Sequence, residues 1–105
     1  LSGAIMASSV LFSGAGAHDA MPTASKPLGW SYGFECCSGI DCAQMPAGEI
    51  VPTPEGWRIN TSGETIPYAD SRVKRSRDEF FHRCAPRGDM SEKRSICIYV
   101  PDFGG

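Results

Sequence analysis

Glu49-Ile50-Val51-Pro52-Thr53-Pro54-Glu55-Gly56-Trp57-Arg58-Ile59-Asn60 places two short apolar runs on either side of a turn. In Gly56-Trp57-Arg58-Ile59-Asn60 the period is two, so Trp57 and Ile59 share one face of a strand and Arg58 takes the other. Pro54 and Gly56 suit the ends of the tight turn that joins the runs. A second turn, Thr61-Ser62-Gly63-Glu64, leads into Thr65-Ile66-Pro67-Tyr68. Pro67 has no N–H to give to a ladder, which keeps that strand short or at an edge. Three strands joined by tight turns make a meander.

Toward the C-terminus, Glu79-Phe80-Phe81-His82-Arg83-Cys84 and Ile96-Cys97-Ile98-Tyr99-Val100 read as the arms of a final hairpin. Alternation puts Phe80, His82 and Cys84 on one face and Phe81 with Arg83 on the other, while Ile96, Ile98 and Val100 share a core face. Toward the N-terminus, Trp30, Tyr32 and Phe34 alternate as a short strand or an arm laid over the core. Ser38-Gly39 and Met45-Pro46 leave room for at most one helical turn between them. No amphipathic helix longer than two turns and no internal repeat is present. The expected fold is all-β: a small disulfide-stapled β meander or partly open barrel with an irregular N-terminal arm.

Residues 1–17 contain no Lys, Arg, Asp or Glu, carry a short apolar run, and end in Ala15-Gly16-Ala17, the small-residue pattern a signal peptidase accepts. A cleaved signal peptide over 1–17 is expected, too short and polar to span a bilayer. It leaves a single small β domain over 18–105 that starts at His18, with 18–31, rich in Ala, Pro, Ser and Gly, as an extended arm. The product is then periplasmic or secreted, with no transmembrane segment in the mature chain.

Five cysteines, Cys36, Cys37, Cys42, Cys84 and Cys97, fit an oxidising compartment, and a small core gains from such staples. Two bridges leave one thiol over, either buried or available to link two chains as a disulfide-bonded dimer. Cys84 and Cys97 flank the turn-like Arg87-Gly88-Asp89, so a bridge across the final hairpin is expected. The second bridge joins Cys42 to Cys36 or Cys37, or ties the cluster to the hairpin. No C-x-x-C pair occurs, which disfavours both thiolate zinc and thioredoxin-like chemistry.

Charge is uneven although the net value is only −2. Residues 72–94 hold eight basic side chains against four acidic ones, densest at Arg72, Lys74, Arg75 and Arg77, whereas residues 18–71 are net acidic. Those four define a patch for an anionic envelope component or an acidic protein face. Negative total charge and the compartment exclude nucleic acid.

His18 and His82 are the two histidines. A chain starting at His18 offers Cu(II) an amine and an imidazole, and His82 supplies a second imidazole. The pair resembles the histidine brace of lytic polysaccharide monooxygenases and some periplasmic copper-binding proteins, which implies copper at His18 and His82. Across the wider chain, Glu35-Cys36-Cys37-Ser38-Gly39-Ile40-Asp41-Cys42, Phe81-His82-Arg83-Cys84 and Cys97-x-Tyr99-x-Pro101 resemble a group of short exported bacterial proteins. That resemblance implies a periplasmic or secreted product and carries no activity. No nucleophile–base pair, phosphate loop or paired-carboxylate motif can be read, so no catalytic residue is assigned. The expected function is a non-enzymatic binding or envelope-interaction module without a cofactor; the alternative is copper binding.

Overall fold

The computed structural model describes residues 19–33, 36 and 41–102. Their strands are β1 (Asp19–Ala20), β2 (Trp30–Ser31), β3 (Asp41–Gln44), β4 (Ile50–Thr53), β5 (Gly56–Ile59), β6 (Thr65–Ile66), β7 (Val73–Arg75), β8 (His82–Ala85) and β9 (Cys97–Val100), with a 3-10 turn at Pro86–Gly88. They form three open sheets of order β1-β2, β3-β8-β9-β7 and β4-β5-β6, so the fold is all-β and no barrel closes. Among the described residues no helix is long and apolar enough to cross a membrane.

The meander forms as its alternation demands. Ile50 pairs with Ile59 and Pro52 with Trp57, and Trp57 in turn pairs with Ile66. Ile50, Trp57, Ile59 and Ile66 are buried while Arg58 is exposed. Gly56 is fixed by space: at φ 146° a Cβ there would stand 2.2 Å from the Ile66 carbonyl oxygen. β6 stops at Ile66, just before Pro67.

β8 and β9 pair antiparallel as the expected hairpin, but two further strands flank them. β3 lies antiparallel to β8, where the sequence suggested at most a helical turn, and β7 lies parallel to β9. A parallel neighbour requires a long crossover, and residues 76–96, β8 included, provide it. Cross-strand partners share a face. Cys42, Gln44, His82, Cys84, Cys97 and Tyr99 therefore stand on one side of this sheet, and Ala43, Val73, Arg83 and Ile98 on the other.

Each face has its own core. The meander packs on the second face through Ile50, Trp57, Ile59 and Ile66, which cluster with Met45 and Ile98. The first face is covered by Ala20, Trp30, Tyr32 and Cys36. Residues 19–31 are thus no extended arm but a doubled-back hairpin, with Asp19 opposite Ser31 and Ala20 opposite Trp30. Gly29 lets it close, because a Cβ there would lie 2.4 Å from the Ala20 carbonyl oxygen. Ile96 departs from the expected core face: it precedes β9 and packs with the first cluster, while Ile98 and Val100 join the second.

The disulfides are Cys36–Cys97 and Cys42–Cys84, both intramolecular, and the expected Cys84–Cys97 bridge is corrected. The Met45 N–H donates to the Phe81 carbonyl. Alternation along an antiparallel ladder then makes Cys42 and Cys84 a non-hydrogen-bonded pair, in which side chains come closest. On its other side the Cys84 carbonyl accepts from the Ile96 N–H, which sets Cys97 at the wider type of spacing. With β3 beside it, Cys84 bonds Cys42 and leaves Cys97 to Cys36. The bridges span 61 and 42 residues, and loop-closure entropy makes each worth about 4 kcal/mol. Cys37, the fifth cysteine, lies outside the described residues.

Candidate functional site: a buried Asp-His-Tyr network beside an edge-strand groove

Asp78 and His82 sit at the heart of the first face, with side chains fully shielded from solvent. His82 is placed by β8 alternation beside Cys84, and Asp78 approaches from the turn just before that strand. The Nε2 of His82 lies 2.8 and 3.0 Å from the two Asp78 carboxylate oxygens. Its Nδ1 lies 2.9 Å from the Tyr32 hydroxyl. Trp30 Nε1–H donates to the second Asp78 oxygen at 2.9 Å, and the Ser76 hydroxyl and Phe80 N–H donate to the first at 3.0 and 2.8 Å. Burial pushes the Asp78 carboxyl up, but the donors Trp30, His82 and Phe80 outweigh it and hold the group below the ordinary carboxylate range. With Asp78 ionised, Nε2 carries a proton; in the neutral ring Nδ1 then accepts from Tyr32.

Around these bonds the rings pack edge to face. Trp30 is the hub, with its centroid 4.9 Å from Tyr32, 5.1 Å from His82 and 5.2 Å from Tyr99. The Tyr99 hydroxyl accepts from the Gly33 N–H at 2.8 Å. Thr23 and Ser25 in the hairpin turn donate to the Glu79 carboxylate, the former at 3.2 Å. The network therefore bolts the β1–β2 hairpin to the central sheet. Its Asp-His-hydroxyl order is one that moves protons in enzymes, but here the hydroxyl end points to a fully buried imidazole.

Tyr32 also forms part of a groove of about 550 Å³ lined by Asp19, Met21, Pro22, Cys42, Ala43 and Gln44. It runs between the hairpin and β3, and among the described strands β3 stands at an edge of its sheet with β8 as its partner. The ladder that turns Ala43 and Met45 toward β8 turns the backbone N–H and C=O of Cys42 and Gln44 away from it. Met21 is 69% exposed at its mouth.

The sites expected from sequence are dispersed. His82 lies in the network with both ring nitrogens engaged, so ligating copper requires it to give up a buried hydrogen bond; His18 lies outside the described residues. Among the described residues no three His, Cys, Asp or Glu side chains gather as metal ligands. The basic quartet is divided. Arg72 is not part of an exposed patch: its side chain is 16% exposed, ion-paired to Glu64 at 2.8 Å and to Asp70 at 2.9 Å. Its hydrogen bonds hold the Asp70 carboxyl at about 2. Arg75 is exposed and pairs with Asp102, Lys74 is half-buried in β7, and Arg77 is exposed.

A second buried polar cluster on the opposite face also differs from expectation. Arg83 is completely buried and donates to the Ser95 hydroxyl at 2.7 Å and to the Met90 and Glu92 carbonyls, each at 2.5 Å. Burial pulls its pKa down while Glu64 and Glu49 oppose that shift. Ser95 donates to Glu64, which links Arg83 to the Arg72–Asp70 pair. Comparison of the chain with family models, curated proteins and solved structures finds no match, so geometry carries the functional reading.

Proposed function

We propose that this chain is an exported, disulfide-stapled, non-enzymatic binding module that takes an extended segment of a partner protein as an added strand on β3. One observation supports the proposal: Gln44 turns its backbone N–H and C=O away from β8, on a strand edge that borders a preformed groove. Main-chain pairing at such an edge supplies affinity, and pockets beside it select alternate side chains. The two edges of the central sheet differ in the same sense. β7 carries Lys74 and Arg75, charges that discourage strand addition, whereas Cys42-Ala43-Gln44 is uncharged. Met21 and Pro22 favour apolar partner side chains, and Asp19 disfavours acidic ones. Two bridges suit a periplasmic or secreted setting. The inward hydrogen bond of Tyr32 supports a rigid wall rather than a catalytic group.

The test is to select extended peptides from a displayed library on the oxidised protein and follow backbone amide exchange. A bound peptide should slow exchange at Gln44 by about tenfold or more. Gln44→Pro removes one outward N–H without touching the β8 ladder and should weaken binding. Peptides that bind while the Gln44 amide exchanges unchanged, or a library that yields no binder, would contradict strand addition.

A further inference from the structure

Cys42, Cys84 and Cys97 stand in one row across three adjacent strands. Cys42 is opposite Cys84 and Cys84 is opposite Cys97, so all three side chains share a face. Cys84 therefore has a cysteine on each side but bonds one of them, while Cys97 bonds Cys36. Access is unequal: Cys42 is half-buried and lines the groove, whereas Cys36 and Cys84 are fully buried and Cys97 is 3% exposed. We infer that this row is a disulfide relay, which passes thiol–disulfide exchange from a thiol in the groove through Cys84 to the inner Cys36–Cys97 bridge.

The chemistry proceeds in two balanced displacements. A thiolate in the groove attacks the Cys42 sulfur, forms a mixed disulfide there, and expels Cys84 as a thiolate. The Cys84 thiolate attacks the Cys97 sulfur, forms Cys84–Cys97, and expels Cys36 as a thiolate. The numbers of disulfide bonds and of thiolates are unchanged by each step, so no further oxidant or reductant is consumed. Directly opposed residues of the hydrogen-bonded type have Cα atoms about 5.5 Å apart, within the roughly 4.4–6.8 Å that a disulfide spans. Exposure fixes the direction, because Cys42 is the one bridged cysteine that is half-buried and lines the groove. The ligand class is a cysteinyl thiol, supplied by a small molecule or by a protein segment. The relay stands apart from strand addition, since glutathione can test it without any bound strand.

The decisive experiment treats the oxidised full chain, with Cys37→Ser to remove the fifth thiol, with equimolar reduced glutathione or with a cysteine-containing extended peptide. Acid quenching, alkylation and peptide mapping then locate every sulfur. Expected products carry the added thiol on Cys42, a Cys84–Cys97 link and an alkylated Cys36. A faster reaction with the peptide identifies a protein source, and a faster one with glutathione a small-molecule source; either supports the relay when these products form. In a Cys36→Ser/Cys97→Ser variant the inner acceptor is gone, and alkylation of Cys84 should rise by about tenfold over the parent. The relay is overturned by an adduct on Cys36, Cys84 or Cys97, or by an alkylated Cys84 beside an intact Cys36–Cys97 bridge. It is equally overturned if the folded parent forms no adduct where a denatured control reacts.

Discussion

Replacing Asp78 with Asn keeps the size of the side chain and turns one of its two acceptors into a donor. In the parent, one oxygen accepts from the Ser76 hydroxyl and Phe80 N–H and the other from Trp30 Nε1–H, with His82 Nε2 shared between them. Either orientation of the new amide therefore sets an N–H against another donor in a site closed to water. The loss of a charge-assisted bond together with a stranded buried donor should cost about 3 kcal/mol. For a domain of this size that is a fall of roughly 10–25 °C in Tm. Urea unfolding with disulfides intact, followed by tryptophan fluorescence, reads the change. The pH dependence gives a second check. The Asp78 carboxyl is held below its ordinary value in the folded chain, and an unfolded Asp titrates near about 3.9. Its contribution is then complete above about pH 4 and disappears as pH falls through the folded value, so the gap between parent and Asp78→Asn should shrink as pH falls below about 4. A loss below about 0.5 kcal/mol, or a gap that does not change with acid, would refute the view that this network bolts the hairpin to the sheet.

Three other outcomes follow from the same structure. Peptide mapping of untreated, non-reduced protein should find Cys36–Cys97 and Cys42–Cys84, and a Cys84–Cys97 fragment would contradict the observed bridge pattern. Glu64→Gln should cost about 2 kcal/mol in chemical denaturation, because Glu64 accepts from Arg72 and twice from Ser95; an unchanged midpoint would show that the Arg83–Ser95–Glu64 cluster does not support the fold. Gly56→Ala should destabilise by more than about 2 kcal/mol, since its Cβ would meet Ile66 backbone, and a neutral effect would mean that β5 and β6 are less closely apposed.

Local pattern carried the meander and the final hairpin into view, because Trp57, Ile59, Ile98 and Val100 alternate and Pro54, Gly56, Gly63 and Pro67 mark their turns. β3 and β7 were hidden for physical reasons. β3 is four residues between Gly39 and Pro46, and β7 is Val73-Lys74-Arg75, whose charge reads as a solvated loop although it lines a sheet edge. Both owe their place to pairing with residues far along the chain, which periodicity does not record. The bridge pattern failed with β3, since Cys42 meets Cys84 only when that strand is known. Arg83 fell on the face opposite His82 as alternation required, but its burial depends on carbonyls from Met90 and Glu92 that no spacing announces. The Asp78–His82 pair left a fainter sign: a core-facing histidine with a carboxylate four residues earlier, and a core tryptophan whose N–H needed an acceptor.

Amide hydrogen exchange across β3 in the unliganded, oxidised protein tests the open edge most directly. Ala43 and Met45, whose N–H groups face β8, should exchange slowly, and Gln44, whose N–H faces away from β8, should exchange quickly. Slow exchange at all three positions, or the opposite alternation, would contradict an edge open to an added strand.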